Sequence, residues 1–371
     1  MQIENRFDLT VVSEDVKAIL AEAISDYEAR TGKVLQPAHI ERLIINTYAY
    51  RELLVRKGIN EAFRQTFPQT ATGLALDLCG EPLGCYRLQD KPARTILRFS
   101  VKGEHTSIVI PKGTRVAVSD ELEFLTLNDD VITPLIAYVD IEAACNKVGE
   151  IGNGWEVGRV KSLKSRLQTS STVEVKNIDV SSGGLSEEAD DDYRKRILAA
   201  PEAFSTCGSI AAYDYHVRAV SQAIADVKVT NPRGGLVRIA VLTKTGLPDS
   251  RLLSDIRDHI SGEIRRPLCD SVEVISPTQR NYRIEARLTL LEGYREDLVK
   301  AQARDALQNY LADKTKVLGK DIVPSAIIAA LRVDGVYDVN LIQPAKTVVA
   351  ENEWANCTAI AIEVEEVRNH G

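Results

Sequence analysis

Ser325-Ala326-Ile327-Ile328-Ala329-Ala330-Leu331 runs through Asp334-Gly335 into Asp338-Val339-Asn340-Leu341-Ile342-Gln343-Pro344, and the chain has used the same phrase before. Earlier, Ser209-Ile210-Ala211-Ala212-Tyr213 leads into Asp226-Val227-Lys228-Val229-Thr230-Asn231-Pro232. Both stretches read as a helix of small residues, a short connection, and a strand of the form Asp-Val-x-[Val/Leu]-x-x-Pro. Two copies are too few for a solenoid; they indicate paired α/β modules. Neither copy carries catalytic equipment, which points to shape and assembly.

Around these phrases the chain supplies the rest of two small layered units. Leu252, Leu253, Ile256 and Ile260 stripe a helix, and Ser271–Ile275 reads as a returning strand. In the second module Tyr282, Ile284, Ala286, Leu288 and Leu290 alternate with Arg283, Glu285, Arg287 and Thr289, the pattern of a strand with one face in water. Val299, Ala303, Leu307 and Tyr310 stripe a helix, Pro324 suits the first turn of another, and a strand near Thr358–Val364 closes the chain. Helices on one face of a small sheet satisfy all of these stripes.

Upstream, Ser181-Ser182-Gly183-Gly184 reads as a flexible joint. Ser186 is the expected cap of a helix whose Asp190, Asp191 and Asp192 stand one turn before Arg194, Lys195 and Arg196. From about Pro92 to Ile178 short alternating segments and turns predict an all-β domain. Leu97, Phe99 and Val101 share one strand face, and Ala137, Val139, Ile141 and Ala143 another. Residues 14–66 read as helix: Ser13 caps the start, Gly32 stops the first segment, and Val16, Ile19, Leu20, Ala23, Ile24 and Tyr27 form its stripe. A second helix after Pro37 sets Ile40, Leu43, Ile44, Thr47 and Tyr48 on one side, then turns apolar on more than one face over Ala49–Arg56. Such a helix needs neighbours on two sides, from its own domain or from another chain.

The fold class is therefore multidomain α+β: an N-terminal helical bundle domain over 1–90, an inserted β-rich domain over 91–180, and two α/β modules over 181–278 and 279–371. At 371 residues the chain exceeds one simple core. Its 44% hydrophobic and 27% charged composition is that of a folded globular protein, expected to be soluble. A net charge of −7 argues against nucleic acid or an anionic membrane as bulk partners. There is no apolar run of membrane-spanning length, and Met1–Asn5 shows no signal-peptide pattern.

The search for chemistry returns little. The six cysteines, Cys79, Cys85, Cys145, Cys207, Cys269 and Cys357, lack metal spacing and read as small buried hydrophobes, a Cys79–Cys85 disulfide being the alternative. His39, His105, His216, His259 and His370 lie in separate segments, and Asp214 and His216 do not face each other on a helix. The aspartates 190–192 read as a solvated helix start and not a metal site. Nucleophile-elbow, Walker-A and dinucleotide fingerprints are absent. The expectation is no enzyme, no catalytic or metal residues and no cofactor.

Gly319-Lys320-Asp321-Ile322-Val323-Pro324-Ser325-Ala326-Ile327-Ile328-Ala329-Ala330-Leu331-Arg332-Val333-Asp334-Gly335-Val336 resembles the C-terminal signature of baseplate J-like proteins of contractile phage tails and tail-derived particles. Similar agreement covers Ala49–Leu54 with Ile59–Ala62, Glu188 to Ile197, Gly208-Ser209 with Ala212-Tyr213 and Tyr215-His216, and Arg265-Arg266-Pro267. The β domain departs from the shortest family members. Its Ile110-Pro111-x-Gly113-Thr114 and Gly152-Asn153 turns resemble longer ones.

The resemblance implies a structural component of the baseplate wedge and inter-wedge ring, rearranging to trigger sheath contraction. Implied partners are a second copy of the chain, a tail-protein-I-like wedge protein sharing a helical bundle, and neighbouring wedges in a six-fold ring. Sheath-initiator and hub proteins are further candidates. It also implies synthesis in the host cytoplasm and assembly into the virion or particle baseplate, without membrane insertion or nucleic acid. Within this frame Tyr50, Leu53, Leu54 and Ile59 are the candidate bundle interface, and Gly183 and Gly184 the candidate hinge. A cell-wall-degrading or receptor-binding tail-tip protein is the alternative, and a nucleic-acid-binding module a further one.

Overall fold

The computed structural model describes residues 10–169, 171–205, 208–262 and 270–368, and divides the chain into two compact units. The Arg265-Arg266-Pro267 motif, Cys207, Cys269, His370 and Met1–Asn5 lie outside the described residues.

The first unit comprises residues 1–87 with 189–201. Its helices are α1 (Val16–Thr31), α2 (Ile40–Arg64), α3 (Gly73–Gly80) and α4 (Asp190–Ala199). The cap of α1 is Asp15, whose carboxylate accepts the Lys17 N–H at 2.9 Å. Ser13, the expected cap, accepts instead from Asp15 N at 3.3 Å, because the helix begins two residues later than its sequence suggests. Gly32 stops α1 in the left-handed region at φ 69°, and its N–H reaches Glu28 O.

Helix α4 corrects a second expectation. It opens at Asp190 behind Ala189, not behind Ser186, and packs with α3 instead of heading the first α/β module. Its aspartates pair at the i,i+3 spacing, Asp191 with Arg194 at 2.6 Å and Asp192 with Lys195 at 3.2 Å. Asp190 points elsewhere, toward the N-terminal residues.

The second unit holds residues 88–188 and 202–371. Its first part is all β: β1 (Pro92–Val101), β2 (Ile108–Ile110), β3 (Arg115–Ala117), β4 (Glu123–Thr126), β5 (Asp130–Ile132), β6 (Tyr138–Val148), β7 (Ser162–Leu163) and β8 (Val173–Asn177). Six of them form a nearly closed antiparallel barrel in the order β7-β3-β4-β6-β1-β8, with β2 and β5 paired as a separate ribbon. Alternation fills the interior: Leu97, Phe99 and Val101 from β1 and Ile141 and Ala143 from β6 are buried together with Phe124 and Val116. Ala137 falls just outside β6 and is exposed.

The first module contains α5 (Ile210–Arg218), β9 (Ile224–Arg233), β10 (Leu236–Thr243), α6 (Ser250–Ile260) and β11 (Ser271–Ile275). Ser209 caps α5, accepting from Ala212 N at 3.1 Å. The second contains β12 (Thr278–Leu291), α7 (Glu296–Lys314), α8 (Pro324–Leu331), β13 (Val336–Gln343) and β14 (Glu353–Arg368), the last longer than its apolar stretch suggests. In both sheets the strand of the repeated phrase lies at one edge, antiparallel to a central strand that is parallel to the other edge: β9-β10-β11 and β13-β12-β14. Chain order differs, since the centre follows its phrase strand in the first module and precedes it in the second. The echo is thus one sheet arrangement reached by two connectivities.

Strand β10 is buried on both faces. Ile239 and Val241 meet Tyr213 and Val217 of α5 and Ile256 and Ile260 of α6. Ala240 and Leu242 meet Leu318 and Trp354 of the second module. The Trp354 indole N–H donates to Thr315 O at 2.7 Å, and Asp226 accepts the Leu318 N–H at 2.9 Å. Burying apolar area on both sides of one strand fastens the two modules together.

Candidate assembly interface

The α1–α2 hairpin is where the first unit exposes what a core would hide. Asn60 fastens it from within. Its side-chain oxygen accepts the Val11 and Val12 N–H groups at 2.9 and 3.0 Å, and its amide donates to Val12 O and Glu14 Oε1, both at 2.8 Å. Every polar atom of this buried side chain is used, so the segment leading into α1 is held to the end of α2. Ala49 and Asn60 are buried on the same side of α2, with Ile45, Leu53 and Arg56 half-buried beside them. Ile19 is the buried member of the α1 stripe; Leu20, Ala23, Ile24 and Tyr27 are half-buried and Val16 is exposed.

The opposite side of α2 is apolar and bare. Ile40 is 73% exposed, Tyr48 61% and Leu54 49%, and Leu43, Ile44 and Val55 stand with them. At 3.6 residues per turn these side chains fall within an arc of about 140°. Fully covering a side chain of this size contributes roughly 1.5–3 kcal/mol, before association costs. Monomers seldom expose contiguous apolar surface, which makes this face the candidate interface.

Of the interface residues expected from sequence, Tyr50, Leu54 and Ile59 are exposed, while Leu53 is half-buried on the Asn60 side. Val55 was not singled out. The other exposed members were already grouped on one side by their spacing, so the signal was legible there.

Helix α4 clamps α3 and the segments on either side of it. Tyr193 is buried and donates to Cys85 O at 2.6 Å. Burial pushes its phenol pKa up to about 12. Gly80 makes room for it: a Cβ there would run into the Tyr193 hydroxyl and the Cys85 carbonyl. Arg87 stacks 4.7 Å from the Tyr193 ring and pairs with Asp77 and Asp190 at 2.9 and 2.8 Å. Asp190 accepts the Gly73 N–H at 2.9 Å, and that bond together with Arg87 holds its carboxyl below the usual range. Arg194 donates to Pro68 O and Ala71 O, and Arg196 to Tyr86 O. These carboxylates and guanidiniums serve structure. Among the described residues no group of three or more His, Cys, Asp or Glu side chains could hold a metal ion, and Cys79, Cys145 and Cys357 are free thiols. Among the described residues no helix is long and apolar enough to cross a membrane.

The Gly183–Gly184 segment is not a loose joint. Ser182 and Arg94 exchange N–H···O bonds at 3.0 and 2.8 Å, and Leu185 and Lys91 do the same at 2.9 and 2.8 Å, laying the segment along β1. Gly184 N–H donates to Asn153 Oδ1, and Asn153 Nδ2 returns a bond to Gly184 O, both at 2.8 Å. A Cβ on Gly184 would collide with Gly149 O and stand 3.0 Å from Ala93 N. Glycine is required here for close backbone approach.

Comparison with known proteins covers the chain in order. Successive segments match the baseplate J-like N-terminal domain over residues 42–94, the baseplate J-like protein barrel domain over 96–184, the baseplate J-like central domain over 205–276 and the baseplate J-like protein C-terminal domain over 282–363. Baseplate protein J of Escherichia phage P2 is 39% identical over 174 residues, 46% of this chain and 57% of that protein, so the match spans little more than half of the relative. Among solved structures, a chain in the six-fold symmetrised cryo-EM structure of the anti-feeding prophage baseplate aligns with a TM-score of 0.46 and 12% identity, covering 94% of this chain and 90% of that one.

Proposed function

Because this chain belongs to the baseplate J-like family, we propose that it is a structural component of a contractile-tail baseplate and works by contact, not by bond chemistry. The observation that carries the reading is the bare apolar face of α2 on a helix otherwise well fastened in its own unit. In this reading the hairpin enters a helical bundle shared with a second copy and a tail-protein-I-like partner. The C-terminal modules join neighbouring wedges in a six-fold ring that rearranges when the sheath is released. A hinge at Gly183 and Gly184, in the same reading, opens only by breaking the Asn153 and Arg94 bonds that hold the segment.

Co-expression with the neighbouring tail genes, followed by electron microscopy, tests it. Wedge- or ring-shaped particles containing this chain are expected. Full recovery of the chain as a monomer beside soluble, folded neighbours would overturn the proposal.

A further inference from the structure

The sheet of the second module has a long unpaired edge. Its order β13-β12-β14 leaves β14 paired on one side only, over 16 residues. Natural edge strands are protected by proline, charged side chains, bulges, short length or cover. Two other edges of these modules carry proline: Pro232 lies within edge strand β9, and Pro344 follows β13 directly. From Glu353 to Arg368, β14 contains no proline, glycine or lysine, and its run Ala359–Ile362 is uncharged and lies between the register shifts at Thr358 and Glu365.

Its side chains show that the core stops short. Ile284, Ala286 and Leu288 of β12 are buried, whereas their register partners Ile360, Ile362 and Val364 on β14 are half-buried. On the other face Ala359, Ala361 and Glu363 stand beside Arg283, Glu285 and Arg287. Arg304 of α7 reaches the Ile360 carbonyl at 3.5 Å.

The strand is also complementary to itself. Reversed about Ile362, the regular run Ile360-Ala361-Ile362-Glu363-Val364 sets Ile360 against Val364, Ile362 against Ile362 and Ala361 against Glu363. Apolar residues meet apolar residues on the inner face, and Glu363 meets an alanine on the outer one. In-register parallel pairing would place Glu363 on Glu363 and Glu365 on Glu365, which is unfavourable.

The geometry points to β14 as the seam of a two-fold pair, in which β14 of one copy runs antiparallel to β14 of a second copy with Ile362 opposite Ile362. The two sheets become one, the edge N–H and C=O groups find partners, and the half-buried Ile360, Ile362 and Val364 are covered. The inference deepens the proposed function, resting on it only in that copies of this chain meet, and names one place where they do.

The test uses the full chain, alone and in the complex co-expressed with its neighbours. Ala361 is exposed and faces Glu363 of the second copy, so opposite charges at this site should have opposite effects without unfolding the module. Sedimentation of Ala361→Glu should show self-association weakened about tenfold, and Ala361→Lys should show it tightened several-fold. An Ile362→Cys variant should form a covalent dimer with a short thiol cross-linker, above the level given by the native cysteines. Equal behaviour of the two Ala361 variants, or no added cross-link from Ile362→Cys inside a complex that otherwise forms, refutes the seam and leaves the baseplate reading standing. Failure of the wild-type chain to associate with anything removes both.

Discussion

The barrel and the α1–α2 hairpin spend their hydrophobic residues in opposite ways. In the β domain Leu97, Phe99 and Phe124 of the barrel are fully enclosed with Ile110 and Ile132 of the β2–β5 ribbon, and the enclosure comes from within the chain. In α2, a helix of 25 residues, the buried positions are Ala49 and Asn60, while Ile40, Leu43, Ile44, Tyr48 and Val55 face water. A barrel completes its own core; a two-helix layer cannot cover both sides of itself. The difference separates a part that encloses its own apolar side chains from a part that leaves an apolar face bare.

Phe99→Ala should produce the largest change. Removing a fully buried ring leaves a cavity worth about 3–5 kcal/mol, and urea unfolding followed by barrel-specific probes such as Trp155 fluorescence should show it. An unfolding midpoint close to wild type would mean that the barrel is not self-sufficient. Gly184→Ala comes next. The added methyl meets backbone atoms that cannot swing away, so a loss of about 2 kcal/mol is expected in the same assay. An unchanged midpoint would show that this segment is looser than its hydrogen bonds imply and would restore it as an easy hinge.

Asp190→Asn should act through pH. Its folded pKa lies below the unfolded value, so its contribution is complete above that value, near pH 4, and is lost as pH falls through the folded pKa. The substitution should flatten the acid limb of the first unit's stability curve while changing the neutral region less, as thermal melts between about pH 2 and 6 would reveal. An acid limb identical to wild type would remove Asp190 from the clamp. Leu54→Asp should have the smallest effect on stability, within about 0.5 kcal/mol, because the side chain already faces solvent. Its effect should appear in assembly, as lost co-purification with tail-gene products. Retained co-purification would take Leu54 out of the interface and weaken the contrast between the two regions.

Much of this was legible in the chain because periodicity reports which face of an element is apolar. The Leu97-Phe99-Val101 and Ile284-Ala286-Leu288-Leu290 alternations became buried strand faces, and Val299-Ala303-Leu307 became the buried stripe of α7. Periodicity does not report what covers a face. The spacing of Ile40, Leu43, Ile44 and Tyr48 was plain, but a stripe reads the same whether its own domain or another molecule lies over it. Local signals also misplaced two caps: Ser13 and Ser186 have the right chemistry, yet Asp15 and the packing of α4 decide where those helices begin.

By itself, then, the sequence determined the α+β class, the order of helical, β and α/β parts and the apolar faces within them, because these follow from side-chain spacing over short distances. Tertiary structure alone decided that α4 clamps α3 and the segment after it through Tyr193 and Arg87, that Gly184 is a site of close approach, and that the paired modules share one sheet pattern with different connectivity. It also decided which apolar faces stay bare. These depend on which distant segments come together, and spacing along a chain carries no measure of that distance.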